Sequence, residues 1–367
     1  MRIDGKISIG QAIMLIMLTV GITNHVTVLP LLLSKAGRDA WLTVLITGIP
    51  FLGWVCMLSF INRRLAPGES LHGWIRRTTG RFGSFLLLGL LVFCLYLMAI
   101  THLIDTQTWT TVNYLPRTPE WFTALVLIIV CTVAASGGVG PLGITSGILL
   151  PFVTILGFFV ATGNIPKKDY GLLLPLFQNG VKPVLEGMVY AGGAFSELTI
   201  LLLLQHHIRK PLRITHYVMM LLIAIILTLG PLTGAIAEFG PIEATRQRFP
   251  AFEQWRLLTI GKDIENMEFF AIYQWLCGSF TRISLCLLLI AEILPLQTAK
   301  QRRILLACLA ASMLAIDATP FSDIMFVTFL AKVYYPFYLI IALFLTFTFA
   351  CLALRYRSKE EETRHGS

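Results

Sequence analysis

Charged residues are scarce in this sequence. They make up 13% of its 367 residues, about half of the roughly 25% that is typical of a soluble domain. Hydrophobic residues make up 56%, and the mean hydropathy is +0.76. This composition excludes a soluble globular protein, a disordered chain, a collagen-like fibre and an outer-membrane barrel. Together with several long apolar runs, it predicts an all-α polytopic membrane protein.

The sequence also lacks the motifs of soluble enzymes and of metal sites. It contains no GxxxxGK[ST] phosphate loop, no HExxH motif, no nucleophile elbow and no dinucleotide fingerprint. The seven cysteines lie singly in or beside apolar runs, without a CxxC pair or a zinc pattern. We therefore predict no enzymatic activity, no cofactor and no metal. The net charge of +9 indicates no nucleic-acid partner, because the basic residues lie between apolar runs, where they set topology.

Ten apolar runs are long enough to cross a bilayer, since about 20 apolar residues span ~30 Å of hydrocarbon as a helix. The predicted spans are 7–33, 40–61, 82–105, 120–136, 141–163, 183–205, 211–237, 268–295, 303–319 and 330–354. The fourth and ninth are short, which leaves nine or eleven spans open. Residues 1–354 thus form one transmembrane domain, followed by a charged tail at 355–367. The excess of Lys and Arg in alternate loops places both termini in the cytoplasm.

Glycines interrupt the first and sixth spans near their middles. The residues around the two interruptions are Val20, Gly21, Ile22, Thr23 and Asn24 in span 1, and Tyr190, Gly192, Gly193 and Ala194 in span 6. Paired interruptions at matching positions are typical of a five-plus-five inverted repeat with broken helices. The repeats would cover about 7–163 and 183–319, with 330–354 as an extra span. Glycines that only allow close helix packing are the alternative.

A broken helix also predicts a binding site. Unwound backbone leaves N–H and C=O groups unpaired, which hydrocarbon does not tolerate unless they line a polar cavity or meet a ligand. Half-helix N-termini suit a carboxylate, and free carbonyls suit an ammonium group. A zwitterionic amino acid matches both, so the residues around the two interruptions are the predicted ligand-binding set.

Three ionisable residues in the spans are candidates for a gate or an ion pathway. Arg282 lies near the middle of span 8, Glu197 lies about one turn beyond Gly193, and Glu186 precedes both glycines of span 6. A charged group at mid-bilayer depth costs ~2.5 kcal/mol or more for Arg or Asp, so each needs a partner or water. A buried structural ion pair is the alternative. His25 and His102 also leave a proton relay open.

The segment 239–268 is the only long polar loop between the predicted spans. Phe249, Phe252, Trp255 and Leu258 recur in it at helical spacing, which predicts a short helix lying in the membrane interface. Its role stays open between a simple connector and a lid or partner-docking element, because function concentrates in loops.

Short motifs spread over most of the chain carry a family resemblance. They are Ile7-Ser8-Ile9-Gly10-Gln11, Leu29-Pro30, Asp39-Ala40-Trp41, Leu174-Pro175 with Gly180 and Pro183, Glu197, and Ile264-Glu265-Asn266-Met267-Glu268 continued to Trp275. In these motifs the chain resembles the spore germination permeases, the B subunits of nutrient germinant receptors. It departs from the family at Glu265-Asn266, where Glu-Arg is usual. It also departs at Val139-Gly140-Pro141-Leu142, where an arginine commonly follows the glycine turn.

The resemblance implies the amino acid-polyamine-organocation transporter fold, in its leucine-transporter-like form. It also implies a receptor that senses an amino acid or a similar nutrient in the spore inner membrane, together with an A subunit and a lipoprotein C subunit. Its ligand would contact Gly21 to Thr23 and Gly192 to Ala194, near Glu197. A proton- or sodium-coupled amino acid transporter of the cell membrane has the same fold and stays open as the alternative. A channel or scaffold subunit without its own ligand is a third reading.

Overall fold

The computed structural model of the protein describes residues 5–66, 68–259, 267–319 and 322–365, with side-chain environments up to residue 355. Almost all of these residues are helical, and none of them belongs to a strand. One isolated bridge pairs Ile7 with Ile208. The predicted all-helical fold class is therefore confirmed. The motif at 264–268 lies largely outside the described residues.

Fourteen α-helices occur in this part of the chain. They are α1 (Ile9–Ile22), α2 (Leu29–Ala36), α3 (Ala40–Asn62), α4 (Leu71–Asn113), α5 (Glu120–Gly137), α6 (Val139–Gly163), α7 (Lys182–Ser196), α8 (Ile200–Leu204), α9 (Ile214–Ala244), α10 (Pro250–Leu257), α11 (Phe269–Ile293), α12 (Ala299–Asp317), α13 (Asp323–Phe329) and α14 (Tyr335–His365). The helices α1 and α12 begin at capping boxes, Ser8 with Gln11 and Thr298 with Gln301. Gly80 interrupts α4 and Gly240 interrupts α9, each with a positive φ that favours glycine.

Eight helical segments of the described residues are long and apolar enough to cross a membrane. The longest, Ile9–Asn62, contains the first two predicted spans, and α12, the ninth predicted span, is not among the eight. The chain is thus a multi-pass membrane protein. The count of ten spans and the inverted repeat stay predictions.

The helices differ strongly in how far the protein encloses them. The most apolar stretch is 83% buried both in Lys182–His207, which contains α7 and α8, and in α11, whereas it is 22% buried in α5 and 11% in α6. The segment α7–α8 and helix α11 therefore form the centre of the bundle, and α5 and α6 lie at its edge. Glu197 and Arg282, which lie on these two elements, are buried inside the protein.

The predicted short helix in the polar loop is present as α10 (Pro250–Leu257). The apolar side chains that predicted it are buried against protein, and its place in the membrane interface stays a prediction. The Gln254 side chain donates to the Pro231 carbonyl at 2.8 Å, and Asn164 donates to the Gln254 carbonyl at 2.7 Å. Side-chain hydrogen bonds therefore hold α10 against the bundle. We call the end of the bundle that carries α10 the α10 face, and the opposite end the Ile7 face.

Candidate functional site

Three membrane-spanning segments change their helical hydrogen-bonding pattern inside the bundle. A π-helical turn, Thr23–Thr27, joins α1 to α2, and a 3₁₀ turn, Glu197–Thr199, joins α7 to α8. A second π turn, Leu330–Tyr334, joins α13 to α14. Turns of this kind inside longer helices often occur at functional sites. The sequence predicted interruptions at Gly21 and at Gly192-Gly193, but these glycines lie in regular helix and the irregular turns follow them. The irregular turn in the last span was not foreseen.

Glu197 and Arg282 form a buried ion pair at the meeting point of these segments. The Arg282 guanidinium donates from Nη2 to Glu197 Oε1 at 2.6 Å and from Nη1 to Glu197 Oε2 at 2.7 Å. Both side chains are almost fully buried, with 2% of Arg282 and none of Glu197 exposed. This two-point geometry is the strongest that an Arg–carboxylate pair adopts. The sequence singled out both residues without assigning their partners.

Irregular backbone in the first span supplies a further acceptor for Arg282. The Thr23 N–H donates to the Val20 carbonyl, one residue short of the α-helical partner, Thr19. The Thr19 carbonyl accepts from Arg282 Nη1 at 3.0 Å, and the Met98 carbonyl accepts from Nε at 3.3 Å. A buried guanidinium needs partners for its several N–H groups, and the helix break provides one of them.

Each of the three irregular segments contributes to this pair. The Thr23 hydroxyl, from the first π turn, donates to Glu197 Oε1 at 3.3 Å. Glu197 itself begins the 3₁₀ turn. The Tyr334 hydroxyl, from the second π turn, accepts from Arg282 Nη2 and donates to Glu197 Oε1, both at 3.2 Å. We call Thr23, Glu197, Arg282 and Tyr334 the central cluster.

The other predicted ligand residues of span 1 lie beside this cluster. The Asn24 amide donates to the Val20 carbonyl at 2.9 Å and accepts from the Thr228 hydroxyl at 3.2 Å. Gly21 lies in regular helix, where a Cβ atom would be 3.5 Å from the Leu227 side chain. Ile22 packs closely on Gly278 of α11, because a Cβ atom added to Gly278 would lie 2.9 Å from the Cβ atom of Ile22. The polar groups near the break are thus satisfied within the protein.

The glycines of span 6 lie in regular helix α7 and not in the 3₁₀ turn. A Cβ atom on Gly192 would lie 3.2 Å from both Leu339 and Phe51, and one on Gly193 would lie 2.9 Å from the Tyr335 carbonyl oxygen. These glycines therefore allow close helix packing. Ala194 is fully buried in the same helix. The ring centroids of Tyr190 and Tyr335 are 6.3 Å apart. Ligand binding by these residues stays a prediction.

Glu186 is the one gate candidate that lies apart from the central cluster. Its carboxylate is 2.5 Å from the Lys35 ammonium group, and both side chains are 40% exposed. Lys182 lies within 3.9 Å of it. The structure thus places Glu186 in a solvent-accessible ion pair near the start of α7. The two histidines considered for a proton relay do not hydrogen-bond to each other. His25 hydrogen-bonds to the Leu227 carbonyl, and His102 hydrogen-bonds to the Ser279 hydroxyl.

A second arginine–carboxylate cluster lies where α10 meets the bundle. Arg248 donates from Nη2 to Asp105 Oδ1 at 2.7 Å and from Nε to Asp323 Oδ1 at 3.0 Å. The Thr27 hydroxyl donates to Asp105 Oδ2 at 3.3 Å. We call Thr27, Asp105, Arg248 and Asp323 the lid cluster. Sequence reasoning missed it because Arg248 sits in a polar loop, where a basic residue ordinarily signals topology.

Comparison with known proteins now places this architecture. A family model described as "Spore germination protein" matches residues 6–321. The chain belongs to the spore germination permease family. It is 40% identical to Spore germination protein XB of Bacillus anthracis over 316 residues, which cover 86% of this chain and 88% of that protein. It is 22% identical to Spore germination protein YndE of Bacillus subtilis over 256 residues, 66% of this chain and 67% of that protein.

Family membership confirms the resemblance that the short motifs carried. The match includes Thr23, Glu197 and Arg282 of the central cluster, whereas Tyr334 lies beyond its end. The two halves of the ion pair therefore lie within the region that defines the family, and the last π turn adds the fourth side chain.

Proposed function

We propose that this spore germination permease is the membrane-embedded, ligand-sensing subunit of a nutrient germinant receptor. A small amino-acid-like germinant would bind at the central cluster, near the middle of the membrane. The observation that carries this proposal is the buried Glu197–Arg282 pair, which touches three irregular helical segments at once.

The chemistry of the pair favours a zwitterionic ligand. Removing a carboxylate and a guanidinium from water costs several kcal/mol per ion, and apolar side chains could hold the same helices together without that cost. A free amino acid carries the same two charges as the pair. Its ammonium group can replace Arg282 at Glu197, while its carboxylate can replace Glu197 at Arg282. The exchange leaves no buried charge without a partner.

The same exchange provides a route from binding to signalling. The hydroxyls of Thr23 and Tyr334 hydrogen-bond to the pair in the ligand-free arrangement. A ligand inserted between Glu197 and Arg282 changes those bonds, and so it interacts differently with the two arrangements of the turns. A ligand shifts a conformational equilibrium only through such differential contacts. The turns Thr23–Thr27 and Leu330–Tyr334 are the elements that we expect to move.

Family membership supports a proposal for the partners and the location. In this proposal the chain acts with an A subunit and a lipoprotein C subunit in the spore inner membrane, with both termini in the cytoplasm. The lipid bilayer contacts the edge helices, of which α5 and α6 are the least enclosed.

A proton- or sodium-coupled amino acid transporter is the second candidate. The irregular helices around a polar centre are also compatible with a protein that moves substrates by alternating access. Uptake of a labelled amino acid by proteoliposomes that contain this chain alone would favour the transporter. Absence of uptake, together with loss of nutrient-triggered germination in a deletion strain, would favour the receptor.

The test of the proposed site compares two glutamates of the same segment. Glu197→Gln removes the charge from the central cluster, and Glu186→Gln makes the same chemical change in the exposed pair with Lys35. We expect spores with Glu197→Gln to lose most of their response to the germinant, and spores with Glu186→Gln to respond as the wild type does. Protein levels in the spore membrane are matched by immunoblot. Equal responses of the two variants would disprove the site.

A bulky replacement of Gly192 is unsuitable for this test. Phe51 and Leu339 lie within 3.2 Å of a Cβ atom at that position, so Gly192→Leu would disturb helix packing whether or not the ligand binds there.

A further inference from the structure

A third cluster of titratable side chains lies at the Ile7 face. His206 and His207 form the end of a 3₁₀ turn, Gln205–His207, directly after α8, and Glu292 lies near the end of α11. Glu292 Oε2 is 2.7 Å from His207 Nε2 and 3.8 Å from His206 Nε2. Within the described part of the chain, this is the one group of three or more His, Cys, Asp or Glu side chains whose possible ligand atoms all lie within 4.8 Å of one another.

The backbone holds this group in place. The Ile7 N–H donates to the His207 carbonyl at 2.8 Å, and the Arg209 N–H donates to the Ile7 carbonyl at 3.0 Å. These bonds form the isolated bridge between the two chain segments. The two imidazole rings lie against each other, with their centroids 3.9 Å apart. The histidines therefore occupy a fixed place opposite Glu292.

The donor atoms match a zinc-type cation. Two imidazole nitrogens and one carboxylate oxygen form a known three-residue set for Zn²⁺, with water in the fourth position. Tetrahedral bonds of about 2.0–2.1 Å separate neighbouring ligand atoms by ~3.3 Å. The observed separations of 2.7 and 3.8 Å lie on either side of that value. Ca²⁺ and Mg²⁺ prefer sites made of oxygen alone, whereas imidazole suits Zn²⁺, Cu²⁺ and Ni²⁺.

The surroundings allow a cation to enter. The side chains of His206, His207 and Glu292 are 17–18% exposed, so water reaches them. The His72 ring lies 5.9 Å from that of His206 and offers a further imidazole. Arg76, which donates to the Ile293 carbonyl at 2.8 Å, is a neighbouring positive charge and opposes cation binding.

We propose that His206, His207 and Glu292 bind one divalent cation of the zinc type. The cation would join the end of the α8 segment to the end of α11 at the Ile7 face, and it would replace the direct His207–Glu292 hydrogen bond. These two elements also carry Glu197 and Arg282, so the metal would tie together the helices that hold the central cluster. The site does not depend on the identity of the germinant.

The test uses the full chain in detergent, purified through an affinity tag without histidine and stripped with EDTA. ZnCl₂ is titrated by calorimetry, and bound zinc is counted by mass spectrometry after desalting. We expect the wild type to hold one zinc per chain and His207→Gln to bind at least about tenfold more weakly. His216→Gln is the matched control, because His216 caps the start of α9 through Arg213, outside the cluster. It should bind zinc as the wild type does.

Two results would overturn the metal site. One is a wild-type protein that retains no zinc, which would leave the cluster as a His–Glu hydrogen bond only. The other is a His207→Gln protein that retains as much zinc as the wild type. Thermal unfolding of the wild type gives a second readout that needs no variant. Zn²⁺ should raise the melting temperature, since a ligand that binds the folded state stabilises it, and Mg²⁺ should not. The absence of a zinc-dependent shift would also count against the site.

Discussion

The central cluster and the lid cluster are built from the same parts at different depths. In each, an arginine pairs with a buried carboxylate, and that carboxylate also accepts a hydrogen bond from a threonine of the same π turn. The threonine is Thr23 in the central cluster and Thr27 in the lid cluster. Arg282 and Glu197 are almost fully buried, whereas 20% of Arg248 and 41% of Asp323 is exposed. The first pair thus depends on protein partners alone, and the second is open to water at one edge.

This difference indicates separate tasks for the two clusters. Exposed ion pairs contribute little stability, so the Arg248–Asp323 contact can open without a large cost, whereas the Arg248–Asp105 contact involves a fully buried carboxylate. The central pair can open only when other charges replace its partners. Because Thr23 and Thr27 belong to one five-residue turn, a rearrangement at either cluster is expected to affect the other.

The largest expected effect is at the centre. Arg282→Met leaves the Glu197 carboxylate buried without an opposite charge beside it, which should destabilise the protein by about 3–5 kcal/mol. The double variant Glu197→Leu/Arg282→Met removes both charges, so it should recover most of that loss without restoring the germinant response. Thermal unfolding of the purified proteins measures the first effect, and spore germination measures the second. A double variant as unstable as the single one would contradict this account of the pair.

A smaller effect is expected at the lid. Arg248→Gln leaves the buried Asp105 carboxylate with the Thr27 hydroxyl as its remaining partner, at a cost of about 1–3 kcal/mol. Arg256→Gln is the matched control, because among the described residues Arg256 hydrogen-bonds only to Glu253 of α10, and its side chain is largely exposed. It should stay within ~0.5 kcal/mol of the wild type. The same thermal assay compares them, and equal stability of the two variants would mean that the Arg248–Asp105 contact does not stabilise the protein.

Removing the Tyr334 hydroxyl tests the hydrogen bonds of the central cluster without changing its charges. Tyr334→Phe keeps the ion pair and removes the group that bonds to both members, which should cost about 0.5–1.5 kcal/mol and shift the germinant dose response without abolishing it. The neighbouring Tyr335 is equally buried, and its hydroxyl has no hydrogen-bond partner among the described residues. Tyr335→Phe should therefore respond as the wild type does. A dose response that is the same for both variants would mean that Tyr334 plays no part in binding.

The smallest effect is expected at the exposed end of the lid cluster. Asp323→Asn weakens the contact with Arg248 but leaves the buried Asp105 paired, so stability should change by about 0–1 kcal/mol. A loss of stability as large as that of Arg248→Gln would show that Asp323, and not Asp105, is the main partner of Arg248.

The deep charges were predictable from sequence, whereas their geometry was not. Arg282 and Glu197 stand out because ionisable residues are rare in long apolar runs. Their pairing joins positions 85 residues apart, which no local pattern reveals. Glu186 precedes Glu197 by 11 residues, or roughly 16 Å along a helix at about 1.5 Å per residue. It therefore lies well away along the helix from the central cluster.

The roles of the glycines and of the loop arginine also depend on distant contacts. Gly192 is a packing residue because Phe51 and Leu339 approach it, and the sequence around Gly192 contains neither. Arg248 pairs with Asp105, 143 residues earlier, although its loop position alone suggested a topology signal. The π turn that ends at Tyr334 lies in a run whose composition predicts only a plain span. In each case the fold supplies the information.

Direct binding of the germinant tests the central claim most sharply. The amino acid that triggers germination in the wild-type strain is labelled, and its binding to the purified chain is measured for wild type, Glu197→Gln and Glu186→Gln. The account predicts that Glu186→Gln binds as the wild type does and that Glu197→Gln binds at least about tenfold more weakly, the equivalent of ~1.4 kcal/mol. Equal affinity of Glu197→Gln and the wild type would contradict it.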